Sequence, residues 1–269
     1  MNSPIKYFGG KGMMQNQILK YFPSHTGYLE PFGGSGAMLF SKNPSDIEIY
    51  NDINQNVYSL FYVLSDKERF ARFRDKCELS YFHEQLRQEA KDKLKTELSL
   101  EDRAYYYFIF NRLSSHGIGG FFQNIAVRRN LSKSVSDFLS SVDRLPEIHY
   151  RVSNLLVYNR NALELMIDYD KEGFFFYLDP PYHWSTRTSA RYECDLSDSD
   201  QIKFIDTCLS LKHAKVFISA YECKEYDELL KNGFYKENFQ VNTIKPSNEA
   251  KTKTETLYMN YQIQESLFN

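Results

Sequence analysis

An acid, two prolines and a tyrosine stand together at Asp179-Pro180-Pro181-Tyr182, directly after the apolar run 174–178. Ligands of open α/β sheets bind outside the carboxyl ends of the strands, so this is a favourable position for a site. Proline has no backbone N–H, and the two prolines therefore leave carbonyl acceptors beside the Asp179 carboxylate. Such acceptors suit an exocyclic amine that donates two hydrogen bonds, while Tyr182 can stack on the ring that carries it. The alternative interpretation is a loop corner with a solvated aspartate.

A glycine-rich segment, Glu30-Pro31-Phe32-Gly33-Gly34-Ser35-Gly36, is the second chemical feature. It lacks the Gly-Lys-Ser/Thr end of a Walker loop, and Leu39 stands where a dinucleotide fingerprint needs its third glycine. The segment is better suited to the close approach of a small cofactor. Asp52 follows the next predicted strand, where a carboxylate can accept hydrogen bonds from ribose hydroxyls. Each feature alone is also explained by a glycine turn or a surface aspartate.

The elements around these residues alternate between strands and helices. Helical spacing of Ile18, Leu19 and Phe22 predicts a helix that Pro23 ends, and residues 57–64 predict a buried helix. The order strand, glycine loop, helix, strand and acid predicts an α/β fold with a Rossmann-like, doubly wound sheet. The predicted strands are 28–30, 47–50, 155–158, 174–178 and 215–219, with a terminal pair near 239–241 and 257–261.

Residues 66–150 differ in character and predict a mostly helical insert. The charge run 67–95 is typical of a solvated helical face. An aromatic helix over 104–112 brings Tyr105, Phe108 and Arg112 to spacings that can share a face. Further along, Val135, Leu139 and Val142 restore helical periodicity. The changed character of this insert therefore predicts a separate domain within the α/β fold.

The charge balance excludes a globally basic nucleic-acid binder but not a local basic patch. The 269 residues include 33 Lys and Arg against 35 Asp and Glu, which gives a net charge of −2. Residues 104–136 nevertheless contain neither Asp nor Glu. Their cationic side chains and histidine suit contact with phosphates and bases, although a basic loop without a ligand is the simpler alternative. These residues are Arg112, His116, Arg128, Arg129 and Lys133.

Cysteine spacing and hydropathy narrow the class of protein further. Cys77, Cys194, Cys208 and Cys223 show no C-x-x-C pair, so neither a zinc site nor a disulfide framework is predicted. The start of the sequence has no signal-type apolar stretch, and no apolar run is long enough to span a bilayer. We expect a cytoplasmic protein without a resident metal or a membrane partner.

Taken in order, the motifs resemble those of DNA adenine N6-methyltransferases of the Dam type, the D12 class of the α-group. The resemblance spans nearly the whole chain, and residues 66–100 match least. It includes Asn111-Arg112 before a glycine-rich stretch and Thr256-Leu257-Tyr258 near the end. The motifs that carry it are Lys6-Tyr7-Phe8-Gly9-Gly10-Lys11, the glycine-rich segment 30–36, Asn51-Asp52-Ile53-Asn54 and Asp179-Pro180-Pro181-Tyr182.

The resemblance implies S-adenosylmethionine as the methyl donor and a target base that is flipped out of the duplex, because N6 cannot align with a sulfonium inside it. Asp179 and the Pro180 carbonyl would accept the two amine hydrogens, and Tyr182 would stack on the base. Asn161 stands where the family places a polar group near the cofactor adenine. The implied cofactor-binding residues are Tyr7, Gly9, Gly10, Lys11, Pro31, Phe32, Gly33, Gly34, Ser35, Gly36, Asp52, Asn161 and Asp179.

The insert resembles the target-recognition domain of that family. Family members that read GATC carry an aromatic residue and an arginine where this chain has Ser115 and Gly120, so the target sequence is not predicted. Phe121, Phe122 and Gln123 are candidates to replace them as wedge and reader. The implied DNA-binding residues are Lys11, Arg112, His116, Phe121, Phe122, Gln123, Arg128, Arg129, Lys133, Trp184 and Tyr192.

The sequence hypothesis is thus a monomeric adenine-specific DNA methyltransferase, encoded by a bacterium or a phage, that acts on double-stranded DNA. Residues 1–65 and 151–269 would form the S-adenosylmethionine-binding catalytic domain, and residues 66–150 the inserted recognition domain. A cognate restriction endonuclease, if one exists, would act separately. Two alternatives stay open. One is methylation of another amine, such as cytosine N4, RNA adenine or a protein glutamine. The other is a DNA-binding module with a decayed site.

Overall fold

The computed structural model describes residues 1–6, 14–181, 197–244 and 250–263. The chain divides into two compact units, each assembled from separated segments. The first unit comprises Met1–Gly12, Gly34–Asn43 and Tyr50–Asn159, and the second comprises Met13–Gly33, Pro44–Ile49 and Arg160–Asn269.

A seven-stranded sheet runs through the fold in the order β5-β2-β1-β6-β7-β9-β8. Strand β6 pairs in parallel with β1 on one side and β7 on the other, while β9 is antiparallel to both β7 and β8. A mostly parallel sheet with alternating helices confirms the predicted α/β, Rossmann-like class. The strands are β1 (Gly27–Glu30), β2 (Ile47–Asn51), β3 (Val127–Arg128), β4 (Leu131–Ser132), β5 (Leu156–Tyr158), β6 (Phe174–Leu178), β7 (Lys215–Ala220), β8 (Tyr235–Ile244) and β9 (Ala250–Met259), of which β3 and β4 form a separate hairpin.

Aromatic packing explains why β6 lies in the middle of the sheet. All five of its residues are buried, as predicted for an uninterrupted apolar run. The Phe175 ring lies 4.6 Å from that of Phe22, and the Tyr177 ring stacks on that of Phe217 at 5.7 Å between centroids. At Gly27 a Cβ would lie 2.7 Å from the Phe174 ring, so β1 needs a residue without a side chain beside β6.

Helices complete both units, and polar caps start many of them. The Asn54 side chain accepts from the backbone N–H of Asn56 at the start of α3, and Asp66 accepts from those of Glu68 and Arg69 at the start of α4. The helices are α1 (Gln15–Ile18), α2 (Ala37–Ser41), α3 (Gln55–Leu64), α4 (Lys67–Glu78), α5 (Glu84–Lys93), α6 (Leu100–Leu113), α7 (Lys133–Asp143), α8 (Leu145–Val152), α9 (Ala162–Asp168), α10 (Asp198–Ser210) and α11 (Asp227–Lys231).

The charged segment after residue 66 folds as the exposed helices that the sequence predicts. Helices α4 and α5 bury few side chains, chiefly Phe70 and Phe73 in α4. Most of their charged side chains face solvent, as in the pair of Arg74 with Glu78 at 2.6 Å. Arg87 of α5 is buried instead and donates to the Ser114 hydroxyl at 2.9 Å. Such exposed pairs contribute little to stability, so the short apolar faces hold these helices to the unit.

The helical periodicity of Val135, Leu139 and Val142 is confirmed by α7, but the buried side chains of this helix do not all follow that spacing. Val142 is buried, but Leu139 is 45% exposed. Phe138 takes its place in the core, where its ring lies 6.1 Å from that of Phe82. The small side chains of Ser134, Ser136 and Ser141 are also buried on this helix, so three polar residues occupy positions that the simple apolar spacing did not identify.

Candidate active site and DNA-contacting residues

The glycine loop of the first unit is tied to Asp52 by direct hydrogen bonds. The Gly34 N–H donates to Asp52 Oδ2 at 2.7 Å, and the Asn54 N–H donates to Oδ1 at 2.8 Å. The Tyr50 hydroxyl donates to the Gly34 carbonyl at 2.6 Å. The loop after β1 and the acid after β2 therefore come together, as the order of the motifs predicts.

Two glycines in this loop adopt left-handed backbone conformations. Gly34 has φ 51° and Gly36 has φ 68°, values that glycine tolerates and most side chains do not. Gly36 precedes α2 directly, and a Cβ there would come within 3.1 Å of the Phe40 ring. Ser35 between them is buried. These glycines are required by the shape of the loop.

Burial changes the acidity of the Asp52 carboxyl group. The loss of solvent raises its pKa from 3.8 to about 6, although the N–H donors of Asn54 and Gly34 act to lower it. The Asn159 amide donates to the Asp52 carbonyl at 2.7 Å and helps to hold the backbone. Asn159 and Tyr50 lie outside the residues named from the sequence. In the sequence, the only indication of their role is that each lies beside the end of a predicted strand.

A second set of predicted site residues follows the ends of two strands of the second unit, β1 and β6. Because β1 and β6 are parallel, the residues that follow them, from Pro31 and from Asp179, lie at the same edge of the sheet. Asp179 is half-buried, whereas Pro180 behind it is buried. The corner therefore presents a carboxylate that solvent reaches on a rigid support.

The second unit also holds the start of the glycine-rich segment. Pro31 and Gly33 are buried, and the half-buried Phe32 ring packs edge-on against that of Phe204 at 5.8 Å. Glu30 is buried and accepts from the Tyr28 hydroxyl at 2.8 Å. Burial and the nearby Glu30 raise the pKa of Tyr28 well above its usual value. This contact fixes the end of β1.

Asn161 has a structural task at the start of α9. Its Oδ1 accepts from the backbone N–H of Leu163 at 2.8 Å and of Glu164 at 3.4 Å. The residue is exposed, so its side-chain nitrogen remains accessible to solvent. The contact with the cofactor adenine stays a prediction beside this capping role.

Arg112 lies in a different environment from the one the sequence suggested. Its side chain is only 9% exposed, and its guanidinium donates to the Ser3 carbonyl at 3.1 Å and to the Pro4 carbonyl. Burial, together with the charge of Arg144, lowers its pKa to about 9. The helical face that it shares with Phe108 turns inward, so Arg112 supports the fold instead of offering a cation to a phosphate.

The segment after α6 divides its predicted residues between packing and solvent. The Phe121 ring lies 4.9 Å from that of Phe82, and Lys6 Nζ lies 4.4 Å above the Phe122 ring. His116 and Gln123 are exposed. His116 has φ 53° and its Nδ1 lies 2.9 Å from a serine hydroxyl, that of its chain neighbour Ser115. The two rings are thus committed to intramolecular contacts, and the polar residues are available.

An exposed hairpin carries the other predicted cations. Strands β3 and β4 pair around Arg129 and Asn130, which have φ 54° and 61° and so form the tight turn that suits a twisted hairpin. Ile125 is 92% and Val127 79% exposed, a pair of apolar side chains that sequence reasoning missed. The alternation of apolar and polar residues beside the two-residue turn was the sequence signal that could have identified them.

One acid from α7 holds two cations at the base of this hairpin. Arg128 Nη1 lies 2.8 Å from Asp137 Oδ1, and Lys133 Nζ lies 2.5 Å from Oδ2. Arg129 has a weaker contact, with its Nη1 3.5 Å from the Ser140 hydroxyl. Asp137 stands just beyond the acid-free stretch, so the basic patch is partly neutralised by the next residue along the chain.

Several predicted residues lie outside the described part of the chain. These are Tyr7, Gly9, Gly10, Lys11, Tyr182, Trp184 and Tyr192. Among the residues that are described, no cluster of three His, Cys, Asp or Glu side chains is arranged to hold a metal ion. Within the same residues, no helix is both long and apolar enough to cross a membrane. Cys77 and Cys208 are buried free thiols.

Comparison with known proteins identifies the family. The family model for D12 class N6 adenine-specific DNA methyltransferases matches residues 7–246. The chain therefore belongs to the D12 class N6 adenine-specific DNA methyltransferases, as the ordered motifs suggested. This membership implies S-adenosylmethionine as the cofactor and DNA as the substrate.

Two curated relatives are consistent with that family. Modification methylase StsI of Streptococcus sanguinis is 23% identical over 97% of this chain, which spans only 43% of that protein. Type II methyltransferase M1.LlaDCHI of Lactococcus lactis subsp. cremoris is 25% identical over 95% of this chain and 94% of its own length. A solved SAM-dependent methyltransferase from Agrobacterium tumefaciens is 8% identical, with a TM-score of 0.37 over 96% of this chain and 64% of that one. A similarity this low carries no conclusion.

Proposed function

We propose that this chain transfers a methyl group from S-adenosylmethionine to the N6 amine of adenine within a specific sequence of double-stranded DNA. Family membership supports the reaction class. The observation that carries the residue roles is the corner after β6, where the half-buried Asp179 precedes the buried Pro180 at a parallel strand edge. This position is the one at which open α/β sheets bind their ligands.

The corner offers two adjacent acceptors to an amine. The Asp179 carboxylate accepts one N6 hydrogen and the Pro180 carbonyl accepts the other, which directs the nitrogen lone pair away from the protein. Proline supplies no competing N–H, so the rim remains an acceptor. Tyr182 stacks on the ring. Catalysis by this set is mainly positioning with electrostatic support, and the amine proton leaves with or after methyl transfer.

The glycine loop and Asp52 would hold the cofactor, which when bound supplies a methyl group on a positively charged sulfur. The buried carboxylate already fixes the loop through Gly34, and its remaining lone pairs can accept from ribose hydroxyls. Gly34 and Gly36 keep the backbone free of side chains where a ligand must come close. These features fit a small cofactor with a ribose.

The hairpin β3–β4 is the proposed DNA contact within the predicted recognition insert, residues 66–150. Arg129 projects from its turn, and the exposed Ile125 and Val127 are the kind of apolar side chains that wedge between base steps. Extrusion of the adenine is required because N6 cannot align with the sulfonium of the cofactor while the base stays stacked and paired. Gln123 and His116 are candidates for base or phosphate contacts beside the hairpin.

A restriction-modification role is the biological setting we propose. One of the curated relatives is named a modification methylase and another a Type II methyltransferase. Such an enzyme protects host DNA from a cognate endonuclease that acts separately, and this chain would mark the site on its own as a monomer.

Expression in a methylation-deficient host, followed by long-read sequencing and nucleoside analysis of DNA and RNA, tests the function. We expect N6-methyladenine at one short DNA sequence and none in cells that express Asp179→Ala. The matched control is Asp168→Ala, which removes an exposed carboxylate of the same unit that pairs with Arg160. N4-methylcytosine would overturn the adenine assignment, and methylation confined to RNA would overturn the DNA substrate. A folded protein that binds no S-adenosylmethionine would overturn the reaction class.

A further inference from the structure

The start of the chain, residues 3–6, forms a strap that touches two regions of the first unit. One is the glycine loop at Ser35, and the other is the segment that follows α6, residues 114–122. The strap is held by two consecutive residues of α6, Asn111 and Arg112. Each of these contacts lies within the first unit.

Asn111 binds the strap in the way that one strand binds another. Its Oδ1 accepts from the Lys6 backbone N–H at 2.8 Å, and its Nδ2 donates to the Lys6 carbonyl at 2.6 Å. The side chain is almost completely buried. A Cβ on Gly117, which has φ 84°, would lie 2.5 Å from the Lys6 carbonyl oxygen and 2.7 Å from Asn111 Nδ2. The segment after α6 therefore fits against this junction only as glycine.

Arg112 holds the other end of the strap through two carbonyls, those of Ser3 and Pro4. No hydrogen-bond partner for its Nε is found among the described residues. Burial of a charge opposes folding, so a buried cation that is supported by backbone carbonyls is unfavourable for the packing of a helix. Its geometric effect is to fix two consecutive carbonyls of the strap at once, because both accept from Nη2, whose two hydrogens are held in the rigid guanidinium plane.

The strap in turn contacts both functional loops. The Ser3 hydroxyl donates to the Ser35 carbonyl at 2.6 Å, in the loop whose Gly34 is bound by Asp52. At the other end, Lys6 Nζ donates to the Ser114 carbonyl at 3.3 Å and lies above the Phe122 ring. A shift of either loop must therefore move the strap or break one of these contacts.

We propose that Asn111 and Arg112 are positioning residues that hold the strap as a mechanical link between the cofactor loop and the DNA-recognition segment, so that DNA and cofactor each strengthen the binding of the other. The proposal rests on the function proposed above. Neither residue needs to touch a substrate. Coupling of this kind is reciprocal, so the same factor must appear whichever ligand is bound first.

Ser3→Ala is the sharpest test because it breaks the link without opening the core. The probe is S-adenosylhomocysteine, which cannot donate a methyl group, with and without a duplex that carries the site mapped in the host. We expect the dissociation constant without DNA to rise about two- to tenfold, because the variant loses the bond to the Ser35 carbonyl and the bond that the Ser3 hydroxyl accepts from the Ile5 N–H within the strap. We also expect the tightening caused by DNA to fall toward none. The KM for S-adenosylmethionine should rise while kcat stays unchanged.

Two matched variants separate positioning from general stability. Ser3→Thr keeps the hydroxyl and should restore both binding and coupling. Ser65→Ala removes a hydroxyl of the same unit that donates to the Tyr62 carbonyl at 2.9 Å, and it should change neither quantity. Arg112→Lys keeps the charge but loses the planar Nη2 group that holds both carbonyls, and we expect it to weaken coupling. The melting temperature of this variant is measured in parallel.

The outcomes distinguish this proposal from the function on which it rests. Wild-type protein that binds no S-adenosylhomocysteine would overturn the proposed function, and the link with it. Wild-type protein that binds the probe more tightly with DNA, while Ser3→Ala and Arg112→Lys show the same coupling, would overturn the link alone. Loss of coupling in Ser65→Ala as well would also contradict it, because that variant leaves the strap intact.

Discussion

Charged side chains of the first unit occupy two contrasting environments. In the interior, Arg112 and Asp52 are buried and held by backbone groups, carbonyls for the cation and N–H donors for the acid. On the hairpin, Arg128 and Arg129 are exposed, and Arg128 is held by another side chain, that of Asp137.

The difference separates two tasks that look the same in the sequence. A charge fixed by backbone dipoles loses its freedom to exchange partners and instead determines where loops lie. An exposed cation paired with one carboxylate can exchange it for a phosphate, since exposed ion pairs contribute little. We therefore regard the interior charges as positioning or cofactor-binding groups and the hairpin charges as the DNA contact.

The largest effect is expected from removal of the interior cation. Arg112→Ala leaves the carbonyls of Ser3 and Pro4 without their donor and opens a cavity, so the free energy of unfolding should fall by about 4 kcal/mol. Urea denaturation measures it. In the matched variant, Arg129→Ala, the change should stay within about 0.5 kcal/mol. Equal losses in the two variants would erase the contrast between the regions.

A second prediction concerns the pH dependence that Asp52 creates. Because its folded pKa of about 6 lies above the ordinary 3.8, the folded protein retains a proton that the unfolded chain has lost. The free energy of unfolding without cofactor should therefore fall, by up to about 3 kcal/mol, as the pH rises from about 4 to about 6. Affinity for S-adenosylmethionine should change in the opposite sense and rise through pH 6, because ribose hydroxyls bind the ionised form.

Denaturation and cofactor binding, each measured from about pH 4.5 to about pH 8, check the sign of the stability change and of the affinity change. Asp52→Asn should flatten the two profiles. Asp170→Asn is the control. Burial acts to raise the pKa of Asp170, but the N–H donors of Lys212, Ala214 and His213 lower it overall. Its removal should leave the rise in cofactor affinity near pH 6 intact.

The contribution of the hairpin to DNA binding should appear in the salt dependence of the affinity for DNA. Arg129→Ala removes one phosphate contact, so the slope of log affinity for DNA against log salt should decrease by about one. Binding of a duplex at several salt concentrations measures it. Arg112→Lys, which keeps an interior cation, should leave the slope unchanged. A smaller slope for Arg112→Lys but not for Arg129→Ala would reverse our assignment of the two regions.

The smallest effect is expected at the acid that restrains the hairpin. Asp137→Asn releases Arg128 and Lys133 and removes a negative charge near the DNA, so duplex binding should tighten by about threefold at low salt, less than 1 kcal/mol. The stability change should be equally small. The measurement is a binding titration beside wild type, and weaker binding would show that Asp137 arranges the cations for DNA.

Much of this organisation follows from sequence patterns with a physical cause. The apolar run 174–178 becomes the central strand because both of its faces are covered, and the order of the glycine loop and Asp52 correctly brings the two together. The motif order also led to the correct family. Patterns of this kind are local or nearly so, and burial enforces them.

The misses have equally physical causes. Arg112 looked like a phosphate contact because charge composition does not report burial, and only the neighbouring Phe108 on the same helical face indicated an inward direction. The spacing of Val135, Leu139 and Val142 correctly predicted a helix, but it did not show that Phe138 fills the core while Leu139 stays exposed. The role of Ser3 depends on a contact with Ser35, 32 residues away, and no local pattern contains it.

The most direct test of the central claim is transfer of a tritium-labelled methyl group from S-adenosylmethionine to duplex DNA by the purified protein, beside Asp179→Ala. We predict label on adenine N6 with wild type and loss of transfer with Asp179→Ala, while that variant keeps its fold and still binds S-adenosylhomocysteine. Undiminished transfer by Asp179→Ala, or label on a different base, would contradict the account.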